Sequence, residues 1–68
     1  MSEVEDVLEA VKIALNHLAK KGIVVSVREV RSVFRDSIIW SVEVYSDIFT
    51  GAIVIKAKTG EIATEVVL

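Results

Sequence analysis

Residues able to act as nucleophiles, bases or metal ligands are few and scattered in this 68-residue chain. His17 is the single histidine, and cysteine is absent. A serine nucleophile needs a base held against it, so His17 would have to meet Ser26 or Ser41 in space. Nothing in the sequence predicts that contact. We therefore interpret His17 as a solvent-facing or helix-end histidine.

The carboxylates give no stronger signal for chemistry. Glu5 and Glu9 share a helix face, but an acid–base pair needs one member buried with a raised pKa, and both are expected on the wet side. No histidine–carboxylate cluster has the spacing of metal ligands. The three glycines are isolated and form no phosphate-binding loop. The sequence thus predicts no enzyme, no metal and no cofactor.

One basic run suggests a different chemistry, the binding of single-stranded nucleic acid. Its residues are Arg28, Arg31 and Arg35, with Lys56 and Lys58 expected nearby on a sheet. Neighbouring aromatic rings would serve as stacking platforms. Against this interpretation, ten acidic residues outnumber eight basic ones, and a nucleic-acid binder normally carries a basic excess. The arginines also suit the protection of a sheet edge and cross-strand ion pairs.

Composition limits the architecture more firmly than it limits the chemistry. Residues 1–68 are expected to form a single domain. The apolar fraction of 53% exceeds the usual range of about 45–50%, so part of the apolar surface is expected to be buried against another chain. The net charge is −2 and the first residues are acidic, which favours a cytoplasmic protein without membrane attachment. A chain rich in Val, Ile, Glu, Lys and Arg and free of proline is also typical of a heat-adapted source.

The first element is a predicted helix at about residues 3–21. Ser2-Glu3-Val4-Glu5 matches a capping box, and Gly22 supplies a residue that ends helices. An apolar stripe on this helix is expected to face a sheet: Val4, Val7, Leu8, Val11, Leu15 and Leu18, with Ala14 beside it. At about 100° per residue, Ile13 points nearly opposite to that stripe, together with Ala10 and His17.

The rest of the chain predicts strands at about residues 23–35, 38–45, 49–58 and 61–67. In the first strand the alternation slips near Arg28-Glu29, which indicates a β-bulge or a bend. The alternative is a strand covered on both faces. In the second strand, alternate apolar residues are expected to face the helix: Ile38, Trp40, Val42 and Val44. In the third strand we expect Ile53 and Ile55 to do so. Gly51 is a possible bulge. The expected fold is α+β, with the helix laid on one face of a three- to four-stranded antiparallel meander.

This architecture leaves apolar residues without an obvious core. Four residues are expected on the opposite face of the sheet: Val24, Ile39, Tyr45 and Val54. Ile13 lies on the far side of the helix together with His17, and the last strand ends in Val66, Val67 and Leu68. Apolar patches and bare strand edges are sites of contact. Our leading hypothesis is therefore a non-enzymatic interaction module that forms a homodimer through the sheet face or an edge.

The chain also resembles the PepSY domain family. The resemblance depends on Ala14-Leu15 and Gly22 in the helix, on residues 40–44, and on the Thr59-Gly60 turn that follows the strand at residues 53–58. It departs from the family where Lys56 stands in place of a common Asp. The resemblance implies a helix on an antiparallel sheet and a module that binds or inhibits peptidases. A peptidase inhibitor or regulator is therefore the second hypothesis, and nucleic-acid binding is the third.

Overall fold

One helix lies on one face of a four-stranded antiparallel sheet in the computed structural model, which describes residues 3–34 and 37–68. The elements are α1 (Val7–Ala19), β1 (Ser26–Phe34), β2 (Ile38–Tyr45), β3 (Thr50–Lys56) and β4 (Ile62–Val67). The strand order is β1-β2-β3-β4, and each strand is antiparallel to its neighbour. This meander with one covering helix confirms the predicted α+β fold class. The polar segment Arg35-Asp36-Ser37 predicts a tight hairpin turn between the first two strands, and residues 35–36 of that segment lie outside the described residues.

The helix begins four residues later than the sequence predicted. Asp6, in extended conformation, is the N-cap, and its Oδ1 accepts a hydrogen bond from the amide of Glu9 at 2.9 Å. Asp6 and Glu9 have the same spacing as the predicted box of Ser2 and Glu5, and aspartate is a favourable N-cap. The predicted helix start near Glu3 is therefore wrong, and Ser2 lies outside the described residues.

Val4 explains why the chain is not helical before Asp6. Its amide donates to the carbonyl oxygen of Ala57 at 2.6 Å, and its own carbonyl accepts from the indole Nε1 of Trp40 at 3.0 Å. The Val4 side chain is 5% exposed and belongs to the core. Both backbone groups of Val4 are thus committed to the sheet, and the helix starts only after this anchor.

The C-terminal end of the helix has the geometry expected of a glycine stop. Gly22 has a positive φ of 78°. The amide of Ile23 donates to the carbonyl of Leu18, and that of Gly22 donates to the carbonyl of Ala19, both at 2.9 Å. This pair of bonds is a Schellman motif. It turns the chain from α1 toward β1, which begins at Ser26 rather than near Ile23.

The face that the helix presents to the sheet differs from the predicted stripe. Ala10, Ala14 and Leu18 are fully buried, whereas Val7 and Leu8 are 51% and 64% exposed. Ile13, expected to point away, packs against the core. Leu18 and Ala14 are buried as predicted. The prediction was wrong for Val7 and Leu8, which it placed inward, and for Ala10 and Ile13, which it placed outward. Two alanines on the inner face let the helix axis approach the sheet closely, and this close packing buries Leu18 as well.

The alternation in the sheet was predicted correctly at its centre. Val42, Val44, Ile53 and Ile55 are buried beneath the helix. The β1–β2 register shifts between Val27 and Glu29, which confirms the predicted bulge. The alternative of a strand covered on both faces is wrong, because most side chains of β1 are exposed.

Gly51 does not form the bulge predicted for it. It pairs regularly with Val44 of β2 and Val67 of β4. A Cβ at this position would collide with the carbonyl oxygen of Val66, and it would lie 3.0 Å from the ring of Phe49. The backbone of β4 therefore approaches β3 at a point where only glycine fits. The irregularity in this pair of strands lies elsewhere, between Val54 and Ile55.

Gly51→Ala should destabilise the protein because the added methyl meets backbone, which cannot rotate away. We expect the free energy of unfolding to fall by about 3 kcal/mol, measured by urea denaturation. Gly22→Ala is the matched control, since open space surrounds its Cβ position and only the left-handed backbone penalty of about 1 kcal/mol applies. A loss at Gly51 no larger than the loss at Gly22 would contradict this packing.

Candidate interaction surfaces

His17 belongs to a small charge cluster that joins the helical segment to β4. Its Nε2 lies 2.9 Å from Oε1 of Glu65, and Nζ of Lys21 lies 2.8 Å from the same oxygen. The partner of His17 is thus a carboxylate, and not Ser26 or Ser41. His17 is half-buried in this contact, so the expectation that it faces a second chain is not supported by its position.

Glu65 is held as a carboxylate by these two neighbours. The hydrogen bond from Lys21, followed by the one from His17, keeps the pKa of Glu65 below its ordinary value. In the part of the chain that the structure describes, no other side-chain hydrogen bond joins the helical segment to β4. The cluster is therefore the polar connection between the covering helix and this edge strand.

The sheet face away from the helix carries only part of the predicted apolar patch. Ile39, Tyr45 and Val54 lie on this face by their register, and Val66 joins them on β4. Two other predicted members lie elsewhere. Val67 pairs with Gly51 of β3 and therefore lies on the helix side of the sheet. Val24 precedes β1 and is 84% exposed.

Charged side chains occupy the β1 side of that same face. Glu29 and Glu43 are directly opposite each other, and Arg31 relieves this repulsion by bonding Glu29. The hydrogen bond from Arg31 lowers the pKa of Glu29, and the same bond raises the pKa of Arg31. Arg28 lies over the ring of Tyr45, 5.1 Å from its centroid. Two of the arginines considered for nucleic acid are thus engaged within the chain.

The two edge strands differ in how they are protected against pairing with another chain. β1 has a bulge and the charged residues Arg28, Glu29 and Arg31, which are common devices against edge pairing. β4 is apolar along most of its length. Its one charged residue, Glu65, lies in the cluster with Lys21 and His17. β4 also contains a bulge, at Ala63, but the edge beyond it lacks the exposed charges of β1.

A groove of about 620 Å³ lies where the N-terminal segment meets the end of the sheet. Ile38 and Trp40 contribute apolar walls, and Glu3, Glu5 and Lys58 contribute charges. The serines that line it, Ser32 and Ser37, have no histidine beside them. Among the described residues the groove therefore contains no serine–histidine pair.

The described residues contain neither a metal-ligand cluster nor a membrane-spanning helix. No group of three His, Cys, Asp or Glu side chains is placed to hold a metal ion. No helix there has the length and apolarity needed to cross a bilayer.

Comparison with protein-family models, with curated proteins and with solved structures finds no significant match to this chain. The resemblance to the PepSY family therefore stays a prediction.

The missed contacts that hold α1 and the N-terminal segment to the sheet join distant positions. Glu65 is 48 positions from His17 and 44 from Lys21, and the bond between Trp40 and Val4 spans 36. Periodicity reports only which residues share a face of one element, so it cannot identify such partners. The one usable signal was that Glu65 interrupts an otherwise apolar strand, which calls for a cationic partner.

Acid should remove the contribution of Glu65 to stability. Its folded-state pKa lies below the ordinary value of 4.5, so the stabilisation is complete above that pH and is lost as the pH falls through the folded pKa. In Glu65→Gln we expect lower stability at pH 7 and a smaller loss on acidification, measured as urea midpoints across this range.

Glu61→Gln, an exposed site just before β4, is the matched control and should keep the wild-type pH profile. Glu29 also has a lowered pKa and titrates in every variant, so the difference from wild type is the informative quantity. Parallel pH profiles for wild type and Glu65→Gln would contradict a structural role for the cluster.

Proposed function

We propose that this protein is a non-enzymatic interaction module that forms a homodimer through the free edge of β4. The observation that carries the proposal is the contrast between the two sheet edges. Both edge strands contain a bulge. β1 also carries exposed charged side chains along its edge, whereas the one charge of β4, Glu65, is bonded to His17 and Lys21. An unprotected edge is a template for another strand.

The backbone of β4 has hydrogen-bonding groups available for such a strand. The amide of Leu68 donates to the carbonyl of Thr50 in β3 at 2.9 Å. In an antiparallel ladder, bonded and non-bonded positions alternate, so Thr64, Val66 and Leu68 bond to β3. The N–H and C=O groups of Glu65 and Val67 consequently point to the open edge.

Side chains along this edge add apolar surface to the backbone groups. Val66, Val67 and Leu68 are 40%, 70% and 74% exposed. Pairing with a second copy would cover part of this surface on both sheet faces. The 53% apolar content of this short chain leads us to expect apolar surface buried against another chain, and edge pairing would bury such surface.

The size of the edge sets the expected strength of the dimer. A strand of six residues buries far less than the roughly 800 Å² per partner of a standard stable interface. We therefore expect a weak dimer, with a dissociation constant in the micromolar range or above.

The hydrogen-bond partner of His17 in the described residues is Glu65 and not a serine, which supports a non-enzymatic role. A peptidase, the partner that the PepSY resemblance implies, would present an extended segment to the same backbone groups of β4. The cytoplasmic location remains a prediction from the sequence.

Val67→Pro tests the edge directly. Proline would remove an outward N–H while leaving the bonds between β3 and β4 intact. We expect the wild type to dimerise in sedimentation equilibrium, and we expect Val67→Pro to weaken the dimer at least about tenfold. Circular dichroism would check that the sheet is retained.

Ser32→Pro on the opposite edge is the matched control. The amide of Ala57 donates to the carbonyl of Ile38, so by alternation the backbone groups of Trp40, two residues further along β2, also bond to β3. Ser32, which is opposite Trp40 in β1, is therefore not bonded to β2, and its N–H points to the open edge. This variant should dimerise like the wild type. A monomeric wild type at millimolar concentration, or equal loss of the dimer in both variants, would reject the proposal.

A further inference from the structure

We infer that the two β4 strands pair in one register, with Val66 opposite Val66 of the second copy on a twofold axis. This inference rests on the proposed dimer and adds its geometry. It follows from three features of β4, which are a bulge, the alternation of its backbone groups and the position of its one charge.

The bulge fixes how much of β4 is regular. Val54 pairs with Thr64, but the next residue of β3, Ile55, pairs with Ile62. Ala63 is therefore the extra residue and interrupts the pattern of backbone groups. Regular alternation runs from Thr64 to Leu68. Among the described residues of β4, a second strand can pair without a break along these five positions.

The alternation restricts the possible registers within this segment. Because two antiparallel copies are related by a twofold axis, the outward residues Glu65 and Val67 must face outward residues of the second copy. Three registers satisfy this condition. They place Glu65 opposite Glu65, Glu65 opposite Val67, or Val67 opposite Val67.

Charge and length select among the three. The first register puts two carboxylates directly opposite each other, which is unfavourable in a sheet, and its outer pairs run into the bulge at Ala63. Within residues 64–68, the third register forms pairs only among residues 66–68. The second pairs all of residues 64–68, with Thr64 opposite Leu68 and Val66 opposite its own copy.

This register also fits the surfaces on both sides of the sheet. On the open face, Val66 already lies beside Ala52 of β3, so its partner extends an apolar row across the twofold axis. On the helix face, each Glu65 lies beside Val67 of the second copy and keeps its bonds to His17 and Lys21. Each charge thus remains neutralised within its own chain.

Single cysteines test the register, because the chain has none of its own. Val66 on the axis is a non-hydrogen-bonded pair, with a Cα separation of about 4.5 Å, which lies within the range for a disulfide. We expect Val66→Cys to form a covalent dimer with oxidised glutathione, which takes up the two hydrogens of the thiols.

Thr64→Cys is the matched control on the same strand and the same face. In the inferred register two Thr64 residues are offset by four positions, or about 13 Å along the strands, which is too far for a disulfide. Val66→Cys should therefore cross-link at least about tenfold faster than Thr64→Cys. The double variant Thr64→Cys with Leu68→Cys should cross-link as well.

The outcomes separate the register from the dimer itself. Faster cross-linking of Thr64→Cys than of Val66→Cys would overturn the register while leaving edge pairing in place. The same holds if both variants dimerise in sedimentation equilibrium and neither cross-links. A monomer by sedimentation, by contrast, would overturn the proposed function and the register together.

Discussion

The way the helix sits on the sheet depends on the anchoring of Val4. Its amide and carbonyl are bonded to Ala57 and to the Trp40 indole, and its side chain is buried. A residue held at three points has little freedom to rotate, so the direction in which the chain enters α1 is set before the first helical turn. Asp6 then caps the helix, and the faces of all later residues follow from that starting angle.

This anchor explains which parts of the fold could be predicted from sequence. The strands were read from an alternation of period two, and Val42, Val44, Ile53 and Ile55 lie where that alternation placed them, because the pleat alone decides which side chains share a face. The rotation of the helix is different. A stripe of large residues seemed to define the inner face, yet Ala10 and Ala14 lie there and Leu8 is exposed. That outcome is decided by contacts with Ala57 and Trp40, which no local pattern contains.

The candidate surface divides in the same way. The apolar run at residues 66–68 was visible in the sequence and marks the edge of β4. The ion pairs of Glu65 beside this run could not be predicted, because its partners His17 and Lys21 are distant in sequence. Likewise, the basic run near Arg28 was visible, but its pairing with Glu29 and with the Tyr45 ring depends on the bulge and the register. Types of residue were predictable, whereas their partners required the fold.

The meander has a consequence for how the chain folds. Each strand pairs with its neighbour in sequence, so the sheet is built from contacts of short range, and closing each connection costs little chain entropy. The bond from Val4 to Ala57 instead brings together positions separated by most of the chain. Low contact order favours rapid folding, so the hairpins can form early. Docking of the amino-terminal segment, the contact of longest range, is then the step that completes the core.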